Sequence, residues 1–300
     1  MRVVTNSTST NIIAQIQALN LQQTQLQSEV SSGLRITQPS DDPAAFGRVM
    51  IDDSQSRALS QYGSNANTAL QVSQATSSNL QQINSISDRI GQLATLGTGT
   101  AGASAMSAYA AEVDQLIQQT VQLGNSQLNN NYLFAGTAVN TPPYTTTTNA
   151  QGQITAVAYN GNTAQNSIPL SSTASIASGS DGATNQGLSS FMNNLITLRN
   201  ALSSGNSAAV SAVQTNLSTD EDTITNAMAA QGAVQMRIQV TQAQQTSLSQ
   251  SLTQLVSGET GADLPSTVVK LTQAQNAYQA AIQSAASIMQ HSLLTYLPVQ

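Results

Sequence analysis

The chain has 300 residues and a formal net charge of −6, but only 7% of its residues are charged and 3% are aromatic. Because contacts to phosphate depend on lysine and arginine, this scarcity of basic residues disfavours nucleic-acid binding. The absence of cysteine excludes disulfides and thiol catalysis, and no apolar run approaches the roughly 18 residues that a membrane span requires, so we expect no membrane insertion.

The first predicted element is a helix close to the N-terminus. Apolar residues fall at alternating spacings of three and four, with Gln23 as the one polar interruption. Gly33 follows the stripe, where we expect it to cap the end of the helix. The stripe forms the first half of a candidate assembly interface, with residues Ile12, Ile16, Leu19, Leu26 and Val30.

A turn containing two adjacent aspartates, Asp41 and Asp42, separates this helix from the next. Paired carboxylates suggest an active site, but the pattern favours helix capping. The Asp42 carboxylate can accept backbone N–H bonds at a helix start, and Pro43 suits the first helical position. The acidic charge also favours the helix dipole. The predicted helix-start turn consists of Gly33, Pro39, Asp41, Asp42 and Pro43.

Two further helical patterns precede a change in composition. The second helix is predicted from Pro43 to about Leu96, and the third from Met106 to Leu123. From Asn140 to about Gly187 the sequence is rich in β-forming and turn residues, which predicts a small inserted β subdomain. Asn160–Gly161 is a hairpin signal within this segment. We expect that removing the segment would leave the helices folded.

Helical periodicity resumes after the β segment. A stripe from Val210 to Leu255 keeps one 3/4 register, which predicts a rod of roughly 70 Å. A last helix carries the second half of the candidate assembly interface, with residues Val268, Leu271, Tyr278, Ile282 and Met289. Stripes this long must pack against neighbouring helices.

The predicted fold is mainly α: a long helical bundle or coiled coil with paired N- and C-terminal helices and a small inserted β subdomain. The expected domains are residues 1–40 with 262–300 as a terminal coiled coil, residues 41–139 with 188–261 as a helical bundle, and residues 140–187 as the β domain. An ordinary bundle whose terminal helices complete its own core fits the periodicity equally well.

The side chains that could support catalysis or bind a metal are few. His291 is the only histidine, so sites built on paired histidines are excluded. Asp52 and Asp53 lie in a helical run, where adjacent side chains diverge. No phosphate-binding glycine motif follows a predicted strand. We therefore expect no enzymatic activity, no cofactor, and no catalytic, cofactor-binding or metal-binding residues.

Three stretches carry a resemblance to a known family. SSGLRITQPSDDPAA (Ser31–Ala45) resembles the N-terminal signature of flagellins and their junction relatives, and its PSDDP core is typical of the flagellar hook-associated protein 3 family of hook–filament junction proteins. NNNYLFAGT (Asn129–Thr137) and AIQSAASIMQHSLLTYL (Ala281–Leu297) resemble further elements of that family.

The resemblance implies a structural adaptor that joins the flagellar hook to the filament. It implies export through the flagellar type III apparatus, an extracellular location on the flagellum, and assembly as a ring of identical copies. The implied partners are the neighbouring hook-associated protein, flagellin and an export chaperone. The N-terminal sequence has no cleavable signal pattern, which fits this route. Two alternatives remain: a small flagellin that forms the filament itself, and a secreted helical adhesin.

Overall fold

The described residues of the chain are mainly helical. A computed structural model describes residues 2–99 and 102–294, and the side chains of residues 10–99 and 102–289. The described part contains six helices and three pairs of short antiparallel strands. In chain order these are α1 (Arg2–Ser32), α2 (Pro43–Thr98), α3 (Ala103–Gly124), β1 (Gln127–Leu128), β2 (Asn131–Tyr132), β3 (Tyr144–Thr148), β4 (Ile154–Tyr159), β5 (Ser167–Pro169), β6 (Ser175–Ala177), α4 (Gly182–Ser203), α5 (Ser207–Thr260) and α6 (Leu264–Leu294).

The helices confirm the predicted fold class. Helix α2 begins at Pro43, the position that the capping pattern predicts. Helix α5 has 54 residues, which at 1.5 Å per residue makes a rod of about 80 Å. The predicted helical stripes correspond to α1, α2, α3, α5 and α6, and α1 begins ten residues before the first apolar residue of its stripe.

The predicted hairpin turn at Asn160–Gly161 is wrong. Strands β3 and β4 pair in antiparallel register, and the turn between them spans residues 149–153. There the Asn149 side-chain oxygen accepts the backbone N–H groups of Gln151 and Gln153, and Gly152 adopts φ +80°. Asn160 instead follows β4, where its amide donates to the Thr145 hydroxyl at 2.7 Å.

The first strands lie before Asn140, where the predicted β segment begins. Strands β1 and β2 form a hairpin whose central residues, Asn129 and Asn130, have φ values of 52° and 66°. Positive φ at both central positions is the geometry of a type I′ turn, which asparagine tolerates. At the other end, helix α4 begins at Gly182, with the Asp181 carboxylate accepting the Thr184 N–H.

The chain divides into two compact units. The terminal unit contains Met1–Arg57 and Ser249–Gln300, and the central unit contains Ala58–Leu248. Both apolar clusters of the described residues lie in the central unit. In the terminal unit α1 packs against α6, and few of its described side chains are fully buried.

The β segment contributes directly to the core of the central unit. Tyr144 and Val157, from β3 and β4, belong to the larger apolar cluster, and Leu170 and Ile176 belong to the smaller one. The Tyr144 hydroxyl donates to the Asn185 carbonyl of α4 at 2.8 Å. The expectation that the β segment could be removed harmlessly is therefore at odds with the packing, because its removal would expose both clusters.

Candidate assembly surface

The predicted stripe of α1 lies on one face of the helix. Ile12, Ile16, Leu19 and Val30 are half-buried, and Leu26 is buried. Gln23, the polar interruption, is half-buried on the same face. Helix α6 is the neighbour of α1 in this unit, so the 3/4 spacing in α1 marks the side on which the two helices pair.

The predicted stripe of α6 is divided between two adjacent rows. Leu271 and Tyr278 are half-buried, on the side of α6 that also buries Ala274 and Ala285. The small alanine side chains allow close approach of the two helices. The predicted interface does not include Ala274. Thr267 is also buried on this side.

The second row of α6 is exposed. Val268, Ile282 and Met289 are 45%, 43% and 47% exposed, and seven- or fourteen-residue spacings place them along one line of the helix. The structure therefore brings Leu271 and Tyr278 to the paired face and leaves Val268, Ile282 and Met289 beside it. In the single chain these three side chains therefore remain partly exposed to solvent.

Exposed apolar side chains are concentrated in the terminal unit. Of the large apolar side chains that remain exposed in the described part of the chain, most belong to it. They are Ile13, Leu21, Leu34, Met50, Ile51, Leu255, Leu264, Val268, Val269, Ile282, Ile288 and Met289. An excess of exposed apolar surface is typical of protein interaction sites.

The two aspartates of the predicted turn stabilise backbone rather than form an active site. The Asp42 carboxylate accepts the Ala45 N–H at 3.0 Å, which confirms it as the cap of α2. The Asp41 carboxylate accepts the N–H groups of Thr37 and Gln38, both at 3.0 Å. Backbone hydrogen bonds from Thr37 and Gln38 hold the pKa of Asp41 below its usual value, and the bond from Ala45 does the same for the pKa of Asp42.

The remaining residues of the predicted turn set its path. Gly33 follows α1 with φ +71°, and its N–H donates to the Glu29 carbonyl at 2.8 Å, as expected for a helix cap. Pro39 lies exposed within the turn, and Pro43 is the first residue of α2. Four of the five predicted positions therefore lie in the connection between α1 and α2, and the fifth, Pro43, begins α2.

A backbone clip joins this turn to the connection between α5 and α6. Leu34 and Gly261 form an antiparallel bridge, flanked by a bond from the Arg35 N–H to the Thr260 carbonyl at 2.7 Å and one from the Ala262 N–H to the Gly33 carbonyl at 2.9 Å. The clip fixes where the chain leaves α1 relative to where it enters α6.

Side-chain contacts reinforce the clip. The Arg48 guanidinium makes two hydrogen bonds to the Glu259 carboxylate, at 3.0 and 2.8 Å, and Arg35 donates to the Glu259 carbonyl at 3.0 Å. The bond from Arg48 lowers the pKa of Glu259, and Glu259 in turn raises the pKa of Arg48. No local sequence pattern indicates this pairing, because 211 residues separate Arg48 from Glu259.

No three histidine or acidic side chains in residues 10–99 and 102–289 come close enough together to hold a metal ion. Among the same residues, no helix has an apolar stretch long enough to cross a bilayer.

Comparison with known proteins finds similarity to flagellar proteins. Residues 3–139 match the model of the bacterial flagellin N-terminal helical region. A curated relative, the flagellar filament 41 kDa core protein of Borreliella burgdorferi, is 34% identical over 105 residues. That match covers 35% of this chain and 31% of the relative, so the chain spans less than a third of the relative's length.

Solved structures share the fold of this protein. A flagellar hook-associated protein from Vibrio parahaemolyticus superposes with a TM-score of 0.65 at 15% identity, covering 74% of this chain and 100% of that one. FlgL of Bacillus cereus superposes with a TM-score of 0.59 at 18% identity, covering 69% and 98%.

Proposed function

We propose that this protein is a flagellin-like structural adaptor that joins the flagellar hook to the filament. In this role it is exported by the flagellar type III apparatus with the help of a chaperone and assembles as a ring of identical copies. Its neighbours in the assembly are another hook-associated protein on one side and flagellin on the other. The fold shared with two hook-associated proteins supports the proposal.

The observation that carries the proposal is the imbalance between the two units. The central unit encloses both apolar clusters of the described residues, whereas the terminal unit has a paired face and many exposed apolar side chains. Such a unit can bury its exposed apolar side chains only against other subunits. That burial would stabilise the assembly by roughly 25 cal/mol per Å² of apolar surface. We assign the joining surface to α1 and α6, and keep the predicted division into terminal, bundle and β domains as part of this proposal.

The exposed row of α6 gives the sharpest test of the joining surface. Ile282→Asp places a carboxylate where the proposal requires burial in the assembly, at a cost of several kcal/mol there. Since Ile282 is 43% exposed in the single chain, the monomer should melt like the wild type. Cells producing this variant should export it normally and release filaments from intact hooks.

The matched control is Gln273→Asp, which introduces the same side chain on the same helix. Gln273 is exposed and lies nine residues before Ile282, so it projects from the opposite side of α6. This variant should keep filaments attached. Attached filaments in cells producing Ile282→Asp would show that the α6 row is not the joining surface.

The second candidate function is a small flagellin. The match of residues 3–139 to the flagellin N-terminal region and the similarity to a filament core protein favour it. Electron microscopy of the purified chain under polymerising conditions separates the two candidates. A flagellin grows into long filaments alone, whereas the adaptor that we propose does not.

A further inference from the structure

The central unit contains a cavity that the assembly function does not use. It has a volume of about 380 Å³ and lies between α2, the β1–β2 hairpin and the segment from Gln165 to Ser180 that carries β5 and β6. This volume falls in the range of about 300–1,000 Å³ that is common for small-molecule sites.

One wall of the cavity is apolar. Val72 of α2, Leu128 and Leu133 around the β1–β2 hairpin, and Ile168 of β5 line it. Leu133 is 9% exposed, and Val72 and Leu128 pack against the larger apolar cluster. Tyr132 adds an aromatic ring to the lining.

The rest of the lining is mainly polar, and several of its side chains have no hydrogen-bond partner among the described residues. Ser178 lines the cavity at 2% exposure, and its hydroxyl bonds to no other described residue. The side-chain amides of Gln71, Asn131, Gln165 and Asn166 also line the cavity without such a bond. These side chains therefore keep donors and acceptors that a ligand in the cavity can bind.

Two well-anchored hairpins hold these groups in place. The β1–β2 turn is fixed by the Leu133 N–H, which donates to the Ser126 carbonyl at 3.1 Å. On the other side, the Gln245 amide donates to the Leu170 carbonyl at 2.7 Å, and the Asn65 amide donates to the Pro169 carbonyl at 2.9 Å. Preorganised walls reduce the entropy cost of binding.

We propose that this cavity binds an uncharged saccharide of one or two rings. None of the described residues that line it is charged, so an ionic ligand would be desolvated there without a counter-charge. Neutral amides and a hydroxyl can each both donate and accept, which matches the hydroxyl groups of a sugar. The apolar wall and Tyr132 fit the C–H face of a sugar ring.

Titration of the full chain with neutral sugars tests the proposal. The probes are glucose, galactose, N-acetylglucosamine, maltose, lactose and chitobiose, with glucuronate and glucosamine as charged counterparts, and binding is measured by ligand-observed NMR. We expect at least one neutral sugar to bind, and its charged counterpart to bind more weakly. Asn166→Ala and Ser178→Val should each weaken binding by about two- to tenfold, which corresponds to one lost hydrogen bond.

Asn216→Ala is the matched control, since Asn216 is an exposed amide on α5 outside the cavity; this variant should bind like the wild type. Asn166 is exposed and makes no side-chain bond, so its variant should also keep the wild-type melting temperature. Failure of every neutral sugar to bind, equal binding by Asn166→Ala, or tighter binding of a charged counterpart would overturn the proposal. None of these outcomes bears on the adaptor function, which rests on the terminal unit.

Discussion

Replacing Asp114 with alanine should strongly destabilise the central unit, because it leaves a buried guanidinium without its counter-charge. Arg199 of α4 is 5% exposed, and its side chain lies 2.8 Å from the carboxylate of Asp114 on α3, which is 16% exposed. The same guanidinium donates to the Ile154 carbonyl of β4 at 2.7 Å and to the Asn200 side chain. The ion pair thus ties α3, α4 and the β3–β4 hairpin together.

The expected loss follows from the burial of both groups. Removing one partner of a buried ion pair typically costs about 3–5 kcal/mol. Since Asp114 keeps some contact with solvent and Arg199 keeps two neutral acceptors, we expect a loss near the lower end, about 3 kcal/mol. For a domain of this size that lowers the melting temperature by roughly 6–12 °C.

Melting curves followed by circular dichroism provide the measurement, and a second ion pair on α3 provides the control. Arg89 makes two hydrogen bonds to Glu112, but their side chains are 45% and 39% exposed. Glu112→Ala should therefore change stability far less, because hydration offsets most of an exposed ion pair. Replacing both buried partners with apolar residues should recover much of the loss. Equal losses in Asp114→Ala and Glu112→Ala would refute the reasoning.

Three further predictions concern the turns and the β segment. Gly261→Ala should loosen the clip and lower the free energy of unfolding by about 1–3 kcal/mol, because its Cβ would lie 2.6 Å from the backbone oxygen of Ser257. Gly258 has open space around it, so Gly258→Ala should leave the melting temperature unchanged or raise it. The pKa of Asp42 is lowered on folding, so the stability that its cap contributes is present above the pKa of the unfolded state and is lost as the pH falls through the pKa of the folded state. The NMR shift of the Ala45 amide should therefore titrate below the ordinary aspartate range. A midpoint above that range would contradict this prediction. Deleting Thr141–Gly187 should abolish cooperative melting of the central unit, whereas an unchanged melt would restore the idea of a removable domain.

Much of the fold could be predicted from the sequence because long helices carry a long-range signal. The stripe of α1 repeats over five turns, and its residues occupy one face as predicted. The capping role of Asp42 was also predictable, since it depends on residues three positions away.

Features that depend on distant contacts could not be predicted in the same way. The periodicity of α6 could not separate the paired side at Leu271 from the exposed row at Ile282, because both rows are apolar and lie within about 60° of each other around the helix. The hairpin turn was misplaced because Asn160–Gly161 is the stronger local signal, whereas the Asn149 side chain organises the actual turn. The clip that includes Glu259 could not be predicted from the sequence, because its two segments come together only in the tertiary structure.

Imaging the hook–filament boundary in cells that lack this protein tests the adaptor function most directly. The account predicts intact hooks without filaments and flagellin lost to the medium, restored by the wild-type chain and not by Ile282→Asp. Filaments that remain attached to the hooks of cells lacking the chain would contradict it.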